Sequence, residues 1–260
     1  MSQRIARIEH AARSIYVELE GSTGHLLDAA PWRGGRRTGE RIEAIDAEGA
    51  PRRLCPVEPS KIVCIGRNYR AHAAELGNEV PAEPLLFFKP PSSLLAPGGV
   101  VELPPTSLSE RVEHEVELGI VVGAPLRRAT EQQAELAIWG HTIVVDVTAR
   151  DLQRRDGQWT RAKGFDTFCP VGPVVVRGLD AADLAIRCHV SGELRQDGRT
   201  SMMVFQPPAL LAYISQVMRL EPGDLIATGT PAGVGPLRDA DTMIASIEGI
   251  GELTVTVRAS

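Results

Sequence analysis

From residue 61 onward the chain offers one strand-length apolar run after another and few helices to connect them. Runs at 61–66, 116–122, 142–147, 171–176, 184–190, 224–228 and 253–258 are short, rich in Val, Ile and Leu, and set off by Gly, Pro, Asn, Asp or charged residues, as strands are. Only 130–138 and 208–218 stand out as helices, and 68–76 adds a polar segment of helical character. A doubly wound parallel sheet needs a crossover helix for nearly every strand. The pattern therefore argues against a nucleotide-binding architecture of that kind and for a β-rich α+β fold.

Ahead of this region, short strand candidates such as 14–20 are broken by Gly-rich turns at 21–24 and 34–35, and a stretch with three prolines runs from 49 to 60. This suggests a small N-terminal β-rich domain over residues 1–57, joined to a main domain over 58–260. A net charge of -5 and a pI near 5.7 provide no general attraction to nucleic acid or to an anionic membrane. The four cysteines show no C-x-x-C spacing, the N-terminus lacks a signal-like apolar stretch, and no run is long enough to span a bilayer. A soluble, cytoplasmic protein with reduced thiols is expected.

The segment His114-Glu115-Val116-Glu117-Leu118-Gly119 places two carboxylates on one side of an otherwise apolar strand. With a period of 2, Glu115 and Glu117 point the same way with β-carbons roughly 6–7 Å apart, a gap that a hard cation can fill. The same alternation also describes any half-buried strand whose glutamates face water. Asp146 ends the next apolar strand. It could cap the helix-like stretch that follows, but Thr148 with Asp151 makes the better capping box, which leaves Asp146 free as a third carboxylate. Three carboxylates with no His or Cys favour Mg²⁺, Mn²⁺ or Ca²⁺ over Zn²⁺.

His72 and Glu75 are i,i+3 neighbours on the polar helical segment. A carboxylate beside imidazole suits a general base, although a surface His–Glu pair has the same spacing. Lys89 and Lys163 interrupt aromatic surroundings; each either snorkels to water or neutralises a bound carboxylate or enolate. Arg150 and Gln153 lie one turn beyond Asp146, and Thr230 sits on the Gly-rich turn 229–235. That turn lacks the Lys-Ser/Thr of a phosphate loop and the helix that should follow it. With Arg67 and Lys89, these three residues are the candidates for binding substrate.

In this order, Gly66-Arg67-Asn68-Tyr69 with His72 and Glu75, His114 to Gly119, Asp146 to Asp151, Ala162-Lys163 and Thr228 to Pro231 resemble the smaller members of the fumarylacetoacetate hydrolase family. The resemblance covers about residues 60–257. It implies a mixed β-sandwich roll, a homodimer, a Mg²⁺ or Mn²⁺ centre on Glu115, Glu117 and Asp146, and a catalytic dyad of His72 and Glu75 on a mobile lid. The larger members resemble a four-carboxylate site with an Asp shortly before the catalytic His, whereas Cys64-Ile65-Gly66 offers none. The chain therefore looks like the short acylpyruvase or oxaloacetate decarboxylase type.

The function this implies is metal-dependent C–C bond hydrolysis of an acylpyruvate, or decarboxylation of oxaloacetate, through an enolate held by Lys163. One alternative within the family is isomerisation or decarboxylation of a hydroxyheptadienedioate. Alternatives of other classes are a non-enzymatic, metal-stabilised binding domain and, with less support, an NAD- or ATP-dependent enzyme. The expected partner is a small 2-oxo acid, with neither nucleic acid nor membrane.

Overall fold

The structure, a computed structural model, describes residues 2–259 apart from Asp46 and Glu48. Its largest sheet is mixed and follows the order Arg37–Ile42, Thr23–Leu27, Arg13–Glu20, Gln3–His10, Cys169–Arg177, Ile138–Val145, Val116–Val122, Leu225–Ala227, Ile62–Gly66, Leu85–Lys89. A second sheet runs Glu193–Arg199, Ala185–Val190, Thr242–Ile247, Gly251–Ala259, Val100–Leu103. A three-stranded sheet joins Thr148–Ala149, Val112–His114 and Gly235–Pro236. This is the mixed β-sandwich roll expected from the resemblance.

The pleat explains how the layers close. Val116 and Leu118 share a core with Ile186, Met243, Ala245 and Val255 of the second sheet. Further along the same strand, Ile120 and Val122 pack with Leu210, Leu211 and Ile214 of the helix Pro207–Val217. On the opposite face Val121 meets Val144 and Leu225. Each such side chain contributes roughly 1.5–3 kcal/mol relative to exposure, and this burial offsets the cost of the buried charges described below.

Gln3–His10 pairs antiparallel with Cys169–Arg177, with Gln3 opposite Arg177, so the N-terminal strands extend the large sheet. The strands Glu193–Arg199, Thr242–Ile247 and Val100–Leu103 are absent from the sequence reading. Only alternate residues of Thr242–Ile247 are buried, and they include the small Ala245. The stretch after Asp146 also differs from expectation. Thr148 belongs to a strand and donates its hydroxyl to Asp146 O (3.0 Å), while Ala149 occupies the cap position of the helix Arg150–Asp156. Asp151 instead accepts from Ser109 Oγ (2.5 Å) and Glu110 N (3.0 Å), so it ties down a loop rather than a capping box. No helix among the described residues is long and apolar enough to cross a membrane.

Candidate active site

Glu115 lies where the chain leaves the three-stranded sheet at His114 and enters the large sheet at Val116; Asp146 lies at the corresponding passage between Val145 and Thr148. The two passages adjoin, because Asp146 N donates to Glu115 O (2.8 Å). Glu117 follows on the same face as Glu115. One carboxylate oxygen from each of the three can be chosen so that all lie within 4.8 Å of one another, and all three side chains are buried.

Their partners differ. Lys163 Nζ donates to Asp146 Oδ2 (2.5 Å) and Glu115 Oε2 (2.8 Å), and the Arg150 guanidinium takes the other Glu115 oxygen. Lys89 Nζ donates to Asp146 Oδ1 (2.7 Å) and Val147 O (3.1 Å). Among the described residues Glu117 accepts the backbone N–H of Gly229 (2.8 Å) and pairs with no Lys or Arg. Burial disfavours the Glu115 anion, but Lys163, Arg150 and His72 outweigh it and hold this carboxyl well below the usual carboxylate range. For Glu117, burial together with Asp146 and Glu115 pushes the carboxyl well above that range. Burial also opposes the Lys163 cation, yet Asp146 and Glu115 outweigh it and keep the ammonium above its ordinary range. Three convergent buried carboxylates, one of them without a cationic partner, fit a hard divalent ion that would complete the charge balance.

The cluster opens on a cavity of about 260 Å³ whose wall includes Glu115, Glu117, Lys163, His72, Gln153 and Thr230. Arg67 and Arg150 also line it, whereas Lys89 stands behind Asp146 and is not part of the wall. His72 is 5% exposed on the short helix Arg70–Glu75; its Nδ1 lies 3.3 Å from Glu75 Oε2, and Glu75 in turn accepts from Gly233 N (3.0 Å). The helix is thus latched to the Gly-rich turn. Arg150 donates Nε to Glu113 Oε2 (2.7 Å) and Nη1 to Gln153 Oε1 (2.6 Å). The Thr230 hydroxyl donates to Val116 O (2.7 Å) and accepts from Gln196 Nε2 (2.7 Å).

Three supporting residues receive no role in the sequence reading. Glu113 shares the parity of Glu115 and Glu117, and carrying the period-2 pattern back one step would have found it. Asn68 is fully buried: its amide donates to Phe205 O (2.9 Å) and Thr228 O (2.8 Å) and accepts from Phe205 N (2.8 Å), fixing the approach to His72. Gln196, also fully buried, accepts from Val116 N (3.0 Å) with the oxygen that faces His114 Nδ1 (3.0 Å), so that nitrogen carries the proton. Its strand is otherwise largely charged, and nothing in the local sequence marks it.

A sandwich roll in which two glutamates of a carboxylate triad, an imidazole and an ammonium open on one small cavity defines a small-molecule enzyme. The chain belongs to the fumarylacetoacetate (FAA) hydrolase family of enzymes, whose C-terminal domain matches residues 61–258. It is 45% identical over 204 residues to an oxaloacetate tautomerase, FAHD1, of Arabidopsis thaliana, covering 76% of this chain and 91% of the relative. Among solved structures it is similar to a 2-hydroxyhepta-2,4-diene-1,7-dioate isomerase from Mycobacterium marinum, with a TM-score of 0.90 and 41% identity over 99% of each chain. A fumarylpyruvate hydrolase from Pseudomonas aeruginosa, solved with Mn²⁺ and pyruvate, aligns at a TM-score of 0.73 and 33% identity, over 82% of this chain and 94% of that one.

Proposed function

We propose that this protein is a divalent-metal-dependent enzyme of small 2-oxo acids, which hydrolyses a C–C bond of an acylpyruvate-type substrate or decarboxylates oxaloacetate, in both cases through a pyruvate enolate. The observation that carries this reading is the meeting of His72, Lys163, Glu115 and Glu117 on one cavity, with an Asp146 oxygen within 4.8 Å of the two glutamates. The triad suits Mg²⁺ or Mn²⁺, with Ca²⁺ able to occupy the same oxygens, and such an ion supplies Lewis-acid polarisation of a 2-oxo group.

The chain's own residues supply the proton transfers and the fixed charges. In hydrolysis His72 takes a proton from water, while Glu75 beside Nδ1 fixes the tautomer that leaves Nε2 as the base. The Lys163 ammonium, buried and kept charged by its two carboxylates, faces the negative charge that develops as the enolate forms. Arg150 positions Glu115 and the Gln153 amide, whose NH₂ is then available to a substrate oxygen. Arg67 and Thr230 contact substrate from the wall, and Lys89 holds Asp146 from behind.

A second reading is isomerisation, in which His72 moves a proton between carbons; the likeness to the M. marinum isomerase over both full chains favours it. The family reading also carries a cytoplasmic homodimer, with residues 1–57 as a small N-terminal domain. Assaying acetylpyruvate, fumarylpyruvate, oxaloacetate and a hydroxyheptadienedioate with Mn²⁺ and with EDTA tests the proposal. Turnover that requires Mn²⁺ supports it, and the substrate turned over fastest chooses between the readings. Failure to act on any 2-oxo acid overturns it.

A further inference from the structure

A second cavity, of about 590 Å³, shares no wall residue with the active-site cavity. It lies where the start of the strand Ile138–Val145, the turn after Cys169–Arg177 and the start of the helix Pro207–Val217 come together. His141 is part of its wall and is 6% exposed, and neither of its ring nitrogens has a hydrogen-bond partner among the described residues. Burial pushes the imidazole down to about 4 against the opposing pull of Asp180, so near pH 7 the ring is neutral and offers one N–H and one bare nitrogen. Buried polar groups nearly always have a partner, and one orphaned inside the fold calls for a partner from outside it.

The backbone breaks its regular pairing at this residue. His141 stands opposite Val176, yet Ile143, two residues on, stands opposite Gly172, so the partner strand carries extra residues here. Bulges of this kind re-aim side chains and recur beside functional sites. Around the imidazole the wall is apolar, with Ile138, Trp139 and Leu179. Among the described residues no Lys or Arg lines the cavity, and the adjoining helix begins with Pro207 and Pro208, which have no N–H to offer. An anion therefore finds no counter-charge. A cation finds the Trp139 ring already engaged by the Arg177 guanidinium at 5.7 Å, and the wall carboxylates Glu135 and Asp180 exposed, where water and salt screen them.

We infer that this cavity is a second binding site, for a neutral ring compound that carries a hydroxyl, in the simplest case a phenol. The ring lies against Ile138, Trp139 and Leu179, and the hydroxyl donates to the bare nitrogen of His141. The volume is that of an ordinary small-molecule pocket. The two cavity walls share no residue, so this site is independent of the chemistry proposed for the other.

Calorimetric titration of the full-length protein with phenol, toluene, benzoate and benzylamine tests this. A wholly apolar cavity favours toluene, because phenol gives up its bound water without return. The unpaired imidazole reverses that order, so the wild type is expected to bind phenol more tightly than toluene, and both charged compounds at least about tenfold more weakly than phenol. His141→Phe keeps a ring but removes both nitrogens, and lowers the phenol-to-toluene affinity ratio about tenfold. Ala182→Trp, at an exposed position of the wall, fills the cavity and abolishes binding of both. Should His141→Phe fail to fold, the ¹⁵N signals of the His141 ring in the wild type decide: phenol shifts one of them as a new hydrogen bond does, and toluene does not. Absence of phenol binding, a ratio unchanged in His141→Phe, or phenol binding undiminished in Ala182→Trp overturns the site. Tighter binding of benzoate or benzylamine than of phenol overturns the assignment of a neutral ligand.

Discussion

Glu117→Gln is expected to make the metal-free protein more stable while removing its response to metal. Among the described residues Glu117 is the one member of the triad with no ion-paired Lys or Arg, and one of its oxygens lies within 4.8 Å of an oxygen of Glu115 and of Asp146. At an effective dielectric near 20, two unit charges at that separation would repel by about 3 kcal/mol if both were ionised, the same repulsion that with burial pushes the Glu117 carboxyl upward, and the Lys163 ammonium offsets part of it. Glutamine keeps the shape and an oxygen for the Gly229 N–H, so the substitution should gain about 1–3 kcal/mol without opening a cavity. For a chain of this length that raises Tm by about 2–10 °C in EDTA. Mn²⁺ at 100 times its Kd stabilises the wild type by about 2.7 kcal/mol through binding linkage, and Glu117→Gln loses most of that increment. Differential scanning calorimetry in EDTA and in Mn²⁺ reads both quantities. A variant that melts lower than wild type in EDTA, or one that keeps the full Mn²⁺ shift, refutes the assignment of Glu117 as the uncompensated ligand.

Other substitutions separate the roles of the remaining residues. His72→Ala should leave Mn²⁺ affinity within about threefold of wild type and lower kcat about 10²–10⁴-fold, as read by titration and steady-state kinetics. Lys163→Met strands Glu115 and Asp146 without their shared ammonium, and should cost about 3–5 kcal/mol in urea denaturation of the EDTA-treated protein, less in Mn²⁺. Gln196→Leu leaves the Val116 N–H without its acceptor and the Thr230 hydroxyl without its donor, and should cost about 2–4 kcal/mol by the same measurement.

How much of this was legible in the sequence depended on whether a feature was local. The strand Val116–Val122 and its glutamate pair could be read because period 2 and an apolar background mark them within a few residues. Asp146 could be read because a lone carboxylate ended an apolar run. Pairings across long separations could not: the place of Gln3–His10 in the large sheet depends on Arg177 and its neighbours, more than 160 residues away. Gln196 reaches the site from the other sheet, so its role appears only when the two layers meet. The direction of Lys89 was hidden for a related reason. Burial behind Asp146 makes it a partner of that carboxylate rather than part of the wall, and its aromatic neighbours are equally consistent with either position. Thr148 was misjudged because a strand pairing with Val112–His114 outcompetes the local capping pattern.

On the proposed reading this cavity generates an enolate from a 2-oxo acid, with His72 handling the proton. Deuterium exchange at the C3 methyl of pyruvate in D₂O, followed by proton NMR, tests it independently of which bond the enzyme finally breaks. Exchange is expected above the uncatalysed background, requiring Mn²⁺, stopping in EDTA, and falling in His72→Ala by the same factor as kcat. Exchange that is absent from the Mn²⁺-loaded wild type, or that persists at the wild-type rate in His72→Ala, would contradict it.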